Sequence, residues 1–359
     1  MESMSLTMAT VLFNGVMLSL LGLVIFWFGR NPGWRRFISG AMIILGVSLF
    51  VSLIMCLPHG GLLRATRLLC FGWFGHFSLY LASTAILSKM RSIRWLAAGV
   101  VIALLAVVLY SFWIEPFRLE VTHYLVESSV VSQPLTLALL ADFQTDKFRG
   151  YQRSSLRRLM QEKPDAIFLA GDYLQANTQD EWESLRDQMN AFLKEISFGA
   201  PLGVYVVGGN SDFRRWPEIF DGLPTEEFRD SRTIETDDFL VTGLSIEDSF
   251  STDIDLAKSS SKLSIVLGHA PDFALSENLR GDLLLAGHTH GGQVRIPWLG
   301  PIITFSQVPR AWAAGKTRID GEKTLVVSRG IGMERRDAPR LRFLCRPELA
   351  FIHVLPLRK

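Results

Sequence analysis

Four long apolar segments in the N-terminal third constrain this chain more than any other feature. They run from Thr7 to Phe28, Phe37 to Leu57, Leu68 to Leu87 and Trp95 to Ile114, and none contains Asp, Glu, Lys or Arg. Each has about 20 residues, the length that a helix needs to cross a hydrocarbon core of about 30 Å. We therefore expect residues 1–114 to form a block of four transmembrane helices. A soluble helical core is the alternative, but no polar face interrupts the segments.

The charges of this block bear on its localisation. The first seven residues hold Glu2 and no basic residue, which is not typical of a cleaved signal peptide. We expect a multi-pass protein of the cell (inner) membrane. Six basic residues belong to the first and third predicted loops, and two, Arg64 and Arg67, belong to the second. Since cytoplasmic loops tend to be basic, this distribution favours a C-terminal domain outside the cytoplasm. The difference is small, and the side of the membrane stays open.

Residues 115–359 have a different pattern, in which short apolar runs alternate with helix-like segments. The predicted strands are "LTLALLA", "DAIFLAG", "GVYVVGG", "FLVTGLS", "KLSIVLGH", "DLLLAGH", "TLVVSRG" and "LAFIHVL". The predicted helices are "SSLRRLMQEKP" and "EWESLRDQMNAFLKEI". This alternation predicts an α/β domain, and in such sheets a site usually forms at the carboxyl ends of the strands.

Polar residues stand at the carboxyl ends of five predicted strands. They are Asp142 with Gln144, Asp172, Asn210 with Asp212, His269, and His288 with His290. Carboxylate, imidazole and amide donors together suit Mn, Fe or Zn better than Ca, which prefers oxygen ligands alone. Each residue alone has an ordinary alternative, such as a turn cap or a core histidine, but the ordered set favours a metal site. We expect a structural contact for His76 and no role for the remaining histidines.

In this order the motifs resemble those of the calcineurin-like metallophosphoesterase superfamily, which read Asp-x-His, Gly-Asp, Gly-Asn-His-Asp, Gly-His and Gly-His-x-His. The resemblance is closest to a bacterial branch with "GHTHGGQ" and an ending such as "SRGIGMERRDAPRLRFLCRPELAFIHVL". It covers nearly all of residues 115–359 and excludes the four-helix block. It implies a four-layer αββα sandwich with two divalent metal ions at its centre.

Carried onto this sequence, the resemblance implies a metal-dependent phosphoesterase or pyrophosphatase with seven metal ligands. One ion would be held by Asp142, Asp172 and His290, with Gln144 binding it directly or through water, and the other by Asp172, Asn210, His269 and His288. The residues implied in catalysis are Asp142, Asp172, Asn210 and His288. Mn is the favoured ion, with Zn, Fe and Mg as alternatives, and such ions neutralise phosphate oxygens and activate water.

Two residues depart from the family pattern. Gln144 stands where the family has a histidine ligand, and an amide oxygen is a weaker donor than imidazole for Zn or Fe. Ser211 replaces the histidine of Gly-Asn-His-Asp, and a serine hydroxyl cannot donate a proton to a leaving group near pH 7. The sequence therefore favours substrates whose leaving group needs little protonation, such as a nucleotide.

Two arginines and the apolar block indicate the substrate class. Arg149 and Arg214 follow metal-bearing strand ends and are candidates to bind phosphate, although a solvated surface is the alternative. We expect a lipid-linked phosphate substrate, contact with membrane lipids and no nucleic acid. The sharpest candidate activity is UDP-2,3-diacylglucosamine pyrophosphatase of lipid A synthesis, which occurs in this superfamily. The alternatives are an extracytoplasmic phosphodiesterase or phospholipid-headgroup hydrolase, and a degenerate metal-dependent sensor without turnover.

Overall fold

A computed structural model describes residues 6–56, 61–255, 261–321, 323–334 and 337–357. Leu57, where the second predicted span ends, lies outside the described residues, as does His59. The chain divides into two compact units. One unit is Met1–Trp113 with Glu334–Arg340, and the other is Ile114–Met333 with Leu341–Lys359. The domain assignment 1–114 and 115–359 stays a prediction from the sequence.

The first unit holds all or most of each of the four helices that, among the described residues, are long and apolar enough to cross a membrane. They are α1 (Leu6–Arg30), α2 (Trp34–Cys56), the span Leu62–Leu87 and the span Arg91–Phe117. The third consists of α3 (Leu62–Cys70), a π-helical turn (Phe71–His76) and α4 (Phe77–Leu87), and the fourth begins with α5 (Arg91–Leu109). Phe13, Met17, Ile44 and Tyr80 pack in the centre of this unit. His76 makes the expected structural contact, because its Nδ1 lies 3.0 Å from the carbonyl oxygen of Phe71.

The third span begins at Leu62, six residues before the predicted start at Leu68. Arg64 and Arg67 therefore belong to a helix, and their assignment to a loop is wrong. The physical reason is that Leu, Arg and Ala are good helix formers, so a helix can continue past the end of its apolar run. Arg64 is also paired within this unit, since its Nε donates to Asp337 Oδ2 at 3.0 Å.

The second unit is built on two six-stranded sheets. The first sheet has the order β1-β14-β2-β3-β4-β5, and the second has the order β12-β13-β9-β8-β7-β6. The first contains β1 (Glu120–Ser128), β2 (Leu135–Leu140), β3 (Ala166–Ala170), β4 (Val204–Val207), β5 (Thr225–Phe228) and β14 (Glu348–Pro356). The second contains β6 (Arg232–Glu235), β7 (Phe239–Gly243), β8 (Leu263–Leu267), β9 (Leu283–Ala286), β12 (Gly315–Ile319) and β13 (Lys323–Val327). A separate hairpin pairs β10 (Arg295–Ile296) with β11 (Gly300–Pro301).

Alternation along the strands produces the layers of this unit. On β2, Leu137 and Leu139 face the core between the sheets, whereas Ala138 and Leu140 face the helices. The first sheet is covered by α6 (Gly150–Gln161) and α7 (Gln179–Glu195). Among the described residues, the outer face of the second sheet packs against the 3-10 turn Asp272–Leu275, which contacts α8 (Ile246–Ser249). These layers confirm the predicted αββα sandwich, with a thin second helical layer.

All eight predicted strands are present, and their directions bring the polar ends together. β2, β3, β4 and β5 are parallel to one another, as are β7, β8, β9 and β13. The carboxyl ends of parallel strands meet at one edge of a sheet. The strands that the sequence did not predict are β1, β5, β6 and β12 with the small hairpin. Most of them lie at sheet edges, where polar residues weaken the apolar pattern.

Candidate metal centre

The backbone at the strand ends has an unusual conformation. Asp142, Asp172, His288 and His290 have φ values of 48°, 59°, 67° and 49°, in the left-handed region that L-residues rarely adopt. Such strain costs about 1–3 kcal/mol per residue and persists where the surrounding structure enforces it. Here hydrogen bonds between strand ends enforce it, because the Asp142 N–H donates to Gly171 O at 3.0 Å. The strained positions therefore lie at the strand ends where the buried carboxylates of Asp142 and Asp172 meet.

Asp142, Asp172 and His269 form a buried cluster at this point. Their potential ligand atoms all lie within 4.8 Å of one another. Burial, and then the nearby carboxylate of Asp172, raise the pKa of Asp142 well above its ordinary value. Two buried carboxylates repel each other when both are charged, so this arrangement favours a bound cation. The cluster therefore has the chemistry of a metal site.

His269 and His288 each direct one ring nitrogen at Asn210. Nδ1 of His269 lies 2.7 Å from the Ala170 carbonyl oxygen, and Nε2 of His288 lies 3.0 Å from that of Phe305. A carbonyl oxygen only accepts, so these two nitrogens carry the protons. The opposite nitrogens, Nε2 of His269 and Nδ1 of His288, lie 2.8 and 3.0 Å from Asn210 Oδ1.

Burial followed by the neighbouring His269 lowers the pKa of His288 to about 4, so His288 is neutral at pH 7. Nε2 of His269 and Nδ1 of His288 therefore converge on the amide oxygen of Asn210. A cation bound between these three atoms would be shared by all of them. Metal-binding histidines also commonly donate their other N–H to a backbone carbonyl, as both histidines do here. This set of donors fits a divalent ion held by Asn210, His269 and His288.

Asp142 and His290 carry buried atoms without a hydrogen-bond partner. Asp142 Oδ1 accepts from the His288 N–H at 3.0 Å, but within the described part of the chain neither Asp142 Oδ2 nor Nδ1 of His290 has a hydrogen-bond partner. A buried polar atom without a partner costs about 1–3 kcal/mol and calls for an explanation. Coordination of an ion would satisfy both atoms. They belong to the ligand set that the sequence predicted for the first ion.

Gln144 lies against the bridging carboxylate that the sequence predicted. Its Nε2 donates to Asp172 Oδ2 at 2.7 Å and to Ser211 Oγ at 3.4 Å. The other oxygen of Asp172 accepts from the Ser211 N–H at 2.8 Å. Gln144 and Ser211, the two departures from the family pattern, are therefore neighbours at one carboxylate. Direct coordination by Gln144 stays a prediction.

Asp212 orients the backbone that carries Asp172. Its carboxylate accepts from the N–H groups of Asp172, Tyr173 and Gly209 at 2.7, 2.8 and 2.9 Å. Burial, followed by the charge of Asp172, raises the pKa of Asp212 to about 8. Through its three hydrogen bonds the Asp212 side chain fixes the ends of β3 and β4 against each other.

Arg149 and Arg214 lie on exposed surface. Arg149 caps the start of α6, and Arg214 precedes the 3-10 turn Trp216–Phe220. Among the described residues, neither forms a hydrogen bond or an ion pair with the buried cluster. Their predicted role in binding phosphate stays a prediction.

Arg342 is a buried part of the site that the sequence reasoning missed. It donates to the carbonyl oxygens of Gly332 at 2.6 Å, Arg329 at 2.7 Å and Gly330 at 3.2 Å. Burial lowers its pKa. The loop that it holds reaches the metal cluster, since the Gly332 N–H donates to Asp142 O at 2.7 Å. A possible signal was the position of this arginine between apolar residues in "LRFLC".

Comparisons with known proteins agree with this geometry. Residues 135–292 match the family model described as calcineurin-like phosphoesterase. An uncharacterized metallophosphoesterase, YkuE of Bacillus subtilis, is 27% identical over 264 residues, which cover 67% of this chain and 87% of that protein. The phosphodiesterase YaeI of Escherichia coli is 26% identical over 257 residues, covering 68% and 92%. An uncharacterized metallophosphoesterase of Aquifex aeolicus is 24% identical over 259 residues, covering 67% and 94%.

Proposed function

We propose that the chain, whose residues 135–292 match the calcineurin-like phosphoesterase model, hydrolyses a phosphoanhydride or phosphodiester bond in a lipid-linked substrate at a membrane surface. The convergence of Asn210, His269 and His288 carries the proposal of metal-dependent hydrolysis. The four apolar helices support a substrate that stays in or on the bilayer. Confinement to the same surface raises the effective concentration of such a substrate.

The residues present fit two ions. Asp142, Asp172 and His290, with Gln144 as a candidate, would hold one, and Asp172, Asn210, His269 and His288 would hold the other. When bound, such ions neutralise phosphate oxygens and lower the pKa of water. Asp172 would be shared, and Asp212 and Ser211 keep its carboxylate in place through the hydrogen bonds around it. Mn is our favoured ion because amide and carboxylate oxygens are prominent in the set.

The same residues restrict the leaving group. Ser211 lies beside Asp172 and has no readily ionised proton near pH 7. His288, whose pKa is lowered to about 4, is neutral at pH 7 and cannot donate a proton as an imidazolium. A leaving group that departs as a stable anion therefore suits this site better than an alkoxide. A nucleotide monophosphate is such a group, which favours a nucleotide-linked lipid.

The sharpest candidate is a UDP-2,3-diacylglucosamine pyrophosphatase that releases UMP. The test uses the full chain in lipid nanodiscs with Mn, and it measures UMP by chromatography. We expect release by the wild type, loss of at least about a hundredfold in His288→Ala, and little change in His353→Ala, a matched substitution outside the cluster. If the wild type cleaves a chromogenic phosphodiester but releases no UMP, this substrate is wrong and the phosphoesterase activity stands.

A second candidate is a phosphodiesterase or phospholipid-headgroup hydrolase acting outside the cytoplasm. The basic first and third loops favour it, since cytoplasmic loops tend to be basic and this tendency would put the C-terminal domain outside. The phosphodiesterase name of the Escherichia coli relative supports the reaction type. Reporter fusions to the C-terminus and to the loop between α4 and α5 would fix the topology. A cytoplasmic C-terminus would exclude this candidate, whereas an external one would remove access to nucleotide-linked lipids.

A sensor without turnover is the third candidate. The substitutions at Gln144 and Ser211 motivate it, because they alter two positions of the family pattern. Hydrolysis of a chromogenic phosphodiester with Mn, lost in His288→Ala, would exclude a sensor. Metal binding without hydrolysis of any phosphoester tested would favour it.

A further inference from the structure

A small hairpin beside the metal centre exposes an unusual amount of apolar surface. We define the apolar hairpin as residues 295–305, which contain β10, β11 and the turn between them. Eight large hydrophobic side chains are exposed among the described residues from 118 to 357, and five of these lie in the apolar hairpin. They are Ile296, Trp298, Leu299, Ile302 and Phe305. A contiguous exposed apolar patch of this kind usually marks an interaction surface.

Trp298 at the tip of the apolar hairpin is strained as well as exposed. Its relative exposure is 103%, so none of the residues that the structure describes covers it. Its φ of 66° lies in the left-handed region, which bulky residues rarely adopt. Pairing of Arg295 with Pro301 and of Ile296 with Gly300 holds the turn in this form. A costly conformation that displays an indole to solvent indicates a ligand that covers it.

The charge around the apolar hairpin is positive. Residues 288–319 contain four basic residues, Arg295, Arg310, Lys316 and Arg318, and no Asp or Glu. Arg295 lines a shallow groove of about 370 Å³ together with Trp298 and Leu344. The 3-10 turn Arg310–Trp312 packs against β11. An exposed tryptophan flanked by arginine and surrounded by aliphatic side chains is typical of protein that lies in the interface of an anionic bilayer.

We propose that the apolar hairpin inserts into the headgroup region of a phospholipid bilayer. The same chain carries four candidate membrane spans, which supports a bilayer as the apolar partner of this hairpin. The hairpin also reaches the metal centre, because the carbonyl oxygen of Phe305 lies 3.0 Å from Nε2 of His288. Insertion would hold the mouth of the site at the depth where the phosphates of an amphiphile lie. The hairpin is then a second membrane contact, separate from the helices.

The test places an environment-sensitive fluorophore at the tip of the apolar hairpin in the full-length protein. Trp298→Cys is labelled with nitrobenzoxadiazole and reconstituted in nanodiscs that contain anionic phospholipid with or without a lipid-borne quencher. The matched control is Asp320→Cys, an exposed residue of another turn that also has positive φ, 51°. Wild-type protein treated in the same way gives the background from the native cysteines. This measurement requires no turnover and is therefore independent of the proposed function.

We expect emission at shorter wavelength and at least about twofold stronger quenching at Trp298→Cys than at Asp320→Cys. Equal, water-like emission and equal quenching at the two positions would overturn the proposal. The fluorophore could instead report water until an amphiphilic substrate is added and become shielded only then. That result would also overturn the proposal, and it would assign the apolar hairpin to binding the acyl chains of the substrate.

An activity comparison tests the consequence of insertion and rests on the proposed function. Trp298→Ser should keep hydrolysis of a water-soluble chromogenic phosphodiester within about twofold of the wild type. It should lower hydrolysis of a bilayer-dispersed substrate by about tenfold or more. Equal losses on both substrates would mean that Trp298 acts on the site itself, which contradicts a role in membrane contact.

Discussion

Gly209 is the position where the smallest substitution should damage the site most. A Cβ at this position would lie 2.2 Å from Asp172 Oδ1 and 2.4 Å from the Asp172 backbone nitrogen. Real Cβ atoms essentially never approach other atoms closer than 3.0 Å, so Asp172 must move by at least about 0.8 Å. The φ of Gly209 is not in the left-handed region, so Gly209→Ala tests space alone.

A displacement of about 1 Å at a reacting group can cost about a hundredfold in rate. For Gly209→Ala we expect kcat/KM on a chromogenic phosphodiester to fall by about 10-fold to 100-fold, or about 1.4–2.7 kcal/mol. Affinity for Mn, measured by calorimetry, should fall as well because Asp172 is the predicted shared ligand. Gly150→Ala is the control, since Gly150 is the first residue of α6 and a Cβ there would meet nothing within 4 Å.

Circular dichroism and the melting temperature separate loss of the site from loss of the fold. The expected result is a folded Gly209→Ala protein with a weakened site beside a normal Gly150→Ala protein. If folded Gly209→Ala keeps both kcat/KM and Mn affinity within twofold of the wild type, then the position of Asp172 does not limit the chemistry. The assignment of Asp172 as the shared ligand would then be refuted.

Three further predictions concern the ligands and their support. Gln144→His should tighten binding of Zn by about tenfold, measured by competition with a chelator, because imidazole is the better donor; unchanged affinity would mean that Gln144 is not a ligand. In the metal-stripped protein, burial and the charge of Asp172 raise the pKa values of Asp142 and Asp212, the latter to about 8. The folded protein therefore holds protons that the unfolded chain releases, so these groups contribute stability at low pH that is lost as pH rises. Its melting temperature should therefore fall between about pH 5 and 8, more steeply than that of the metal-loaded protein, and parallel curves would contradict this reasoning. Arg342→Met leaves buried carbonyl oxygens without donors and should lower the free energy of unfolding by about 3 kcal/mol; an unchanged melting temperature would show that the loop needs no such support.

The sequence was sufficient for the residues whose roles follow from local pattern. A buried strand reads as an apolar run, and a parallel sheet gathers the ends of such runs at one edge, so Asp142, Asp172 and His269 could be placed together without coordinates. The spans were recognisable for the same reason, because a bilayer demands a long uninterrupted apolar helix. The start of the third span was predicted too late, because the helix begins at Leu62 and includes Arg64 and Arg67, which precede the apolar run.

The rest depended on contacts between distant parts of the chain. Arg342 resembles any surface arginine until the loop at Gly330 and Gly332 surrounds it with carbonyl oxygens. The protonated nitrogens of His269 and His288 are set by the carbonyl groups of Ala170 and Phe305, which no local pattern identifies. The strained backbone is also hidden, because a left-handed φ at a non-glycine residue is imposed by its neighbours in space.

The position of β14 has a consequence for the biogenesis of this protein. β14 lies between β1 and β2 in the first sheet, and it pairs with β2 across a separation of about 200 residues along the chain. The first sheet cannot close while the ribosome is still synthesising the residues between these strands. The contact between Asp142, at the end of β2, and the loop held by Arg342 therefore cannot form until nearly all of the domain has been translated. Completion of the candidate metal centre is thus a late event, which follows synthesis of the four candidate membrane spans.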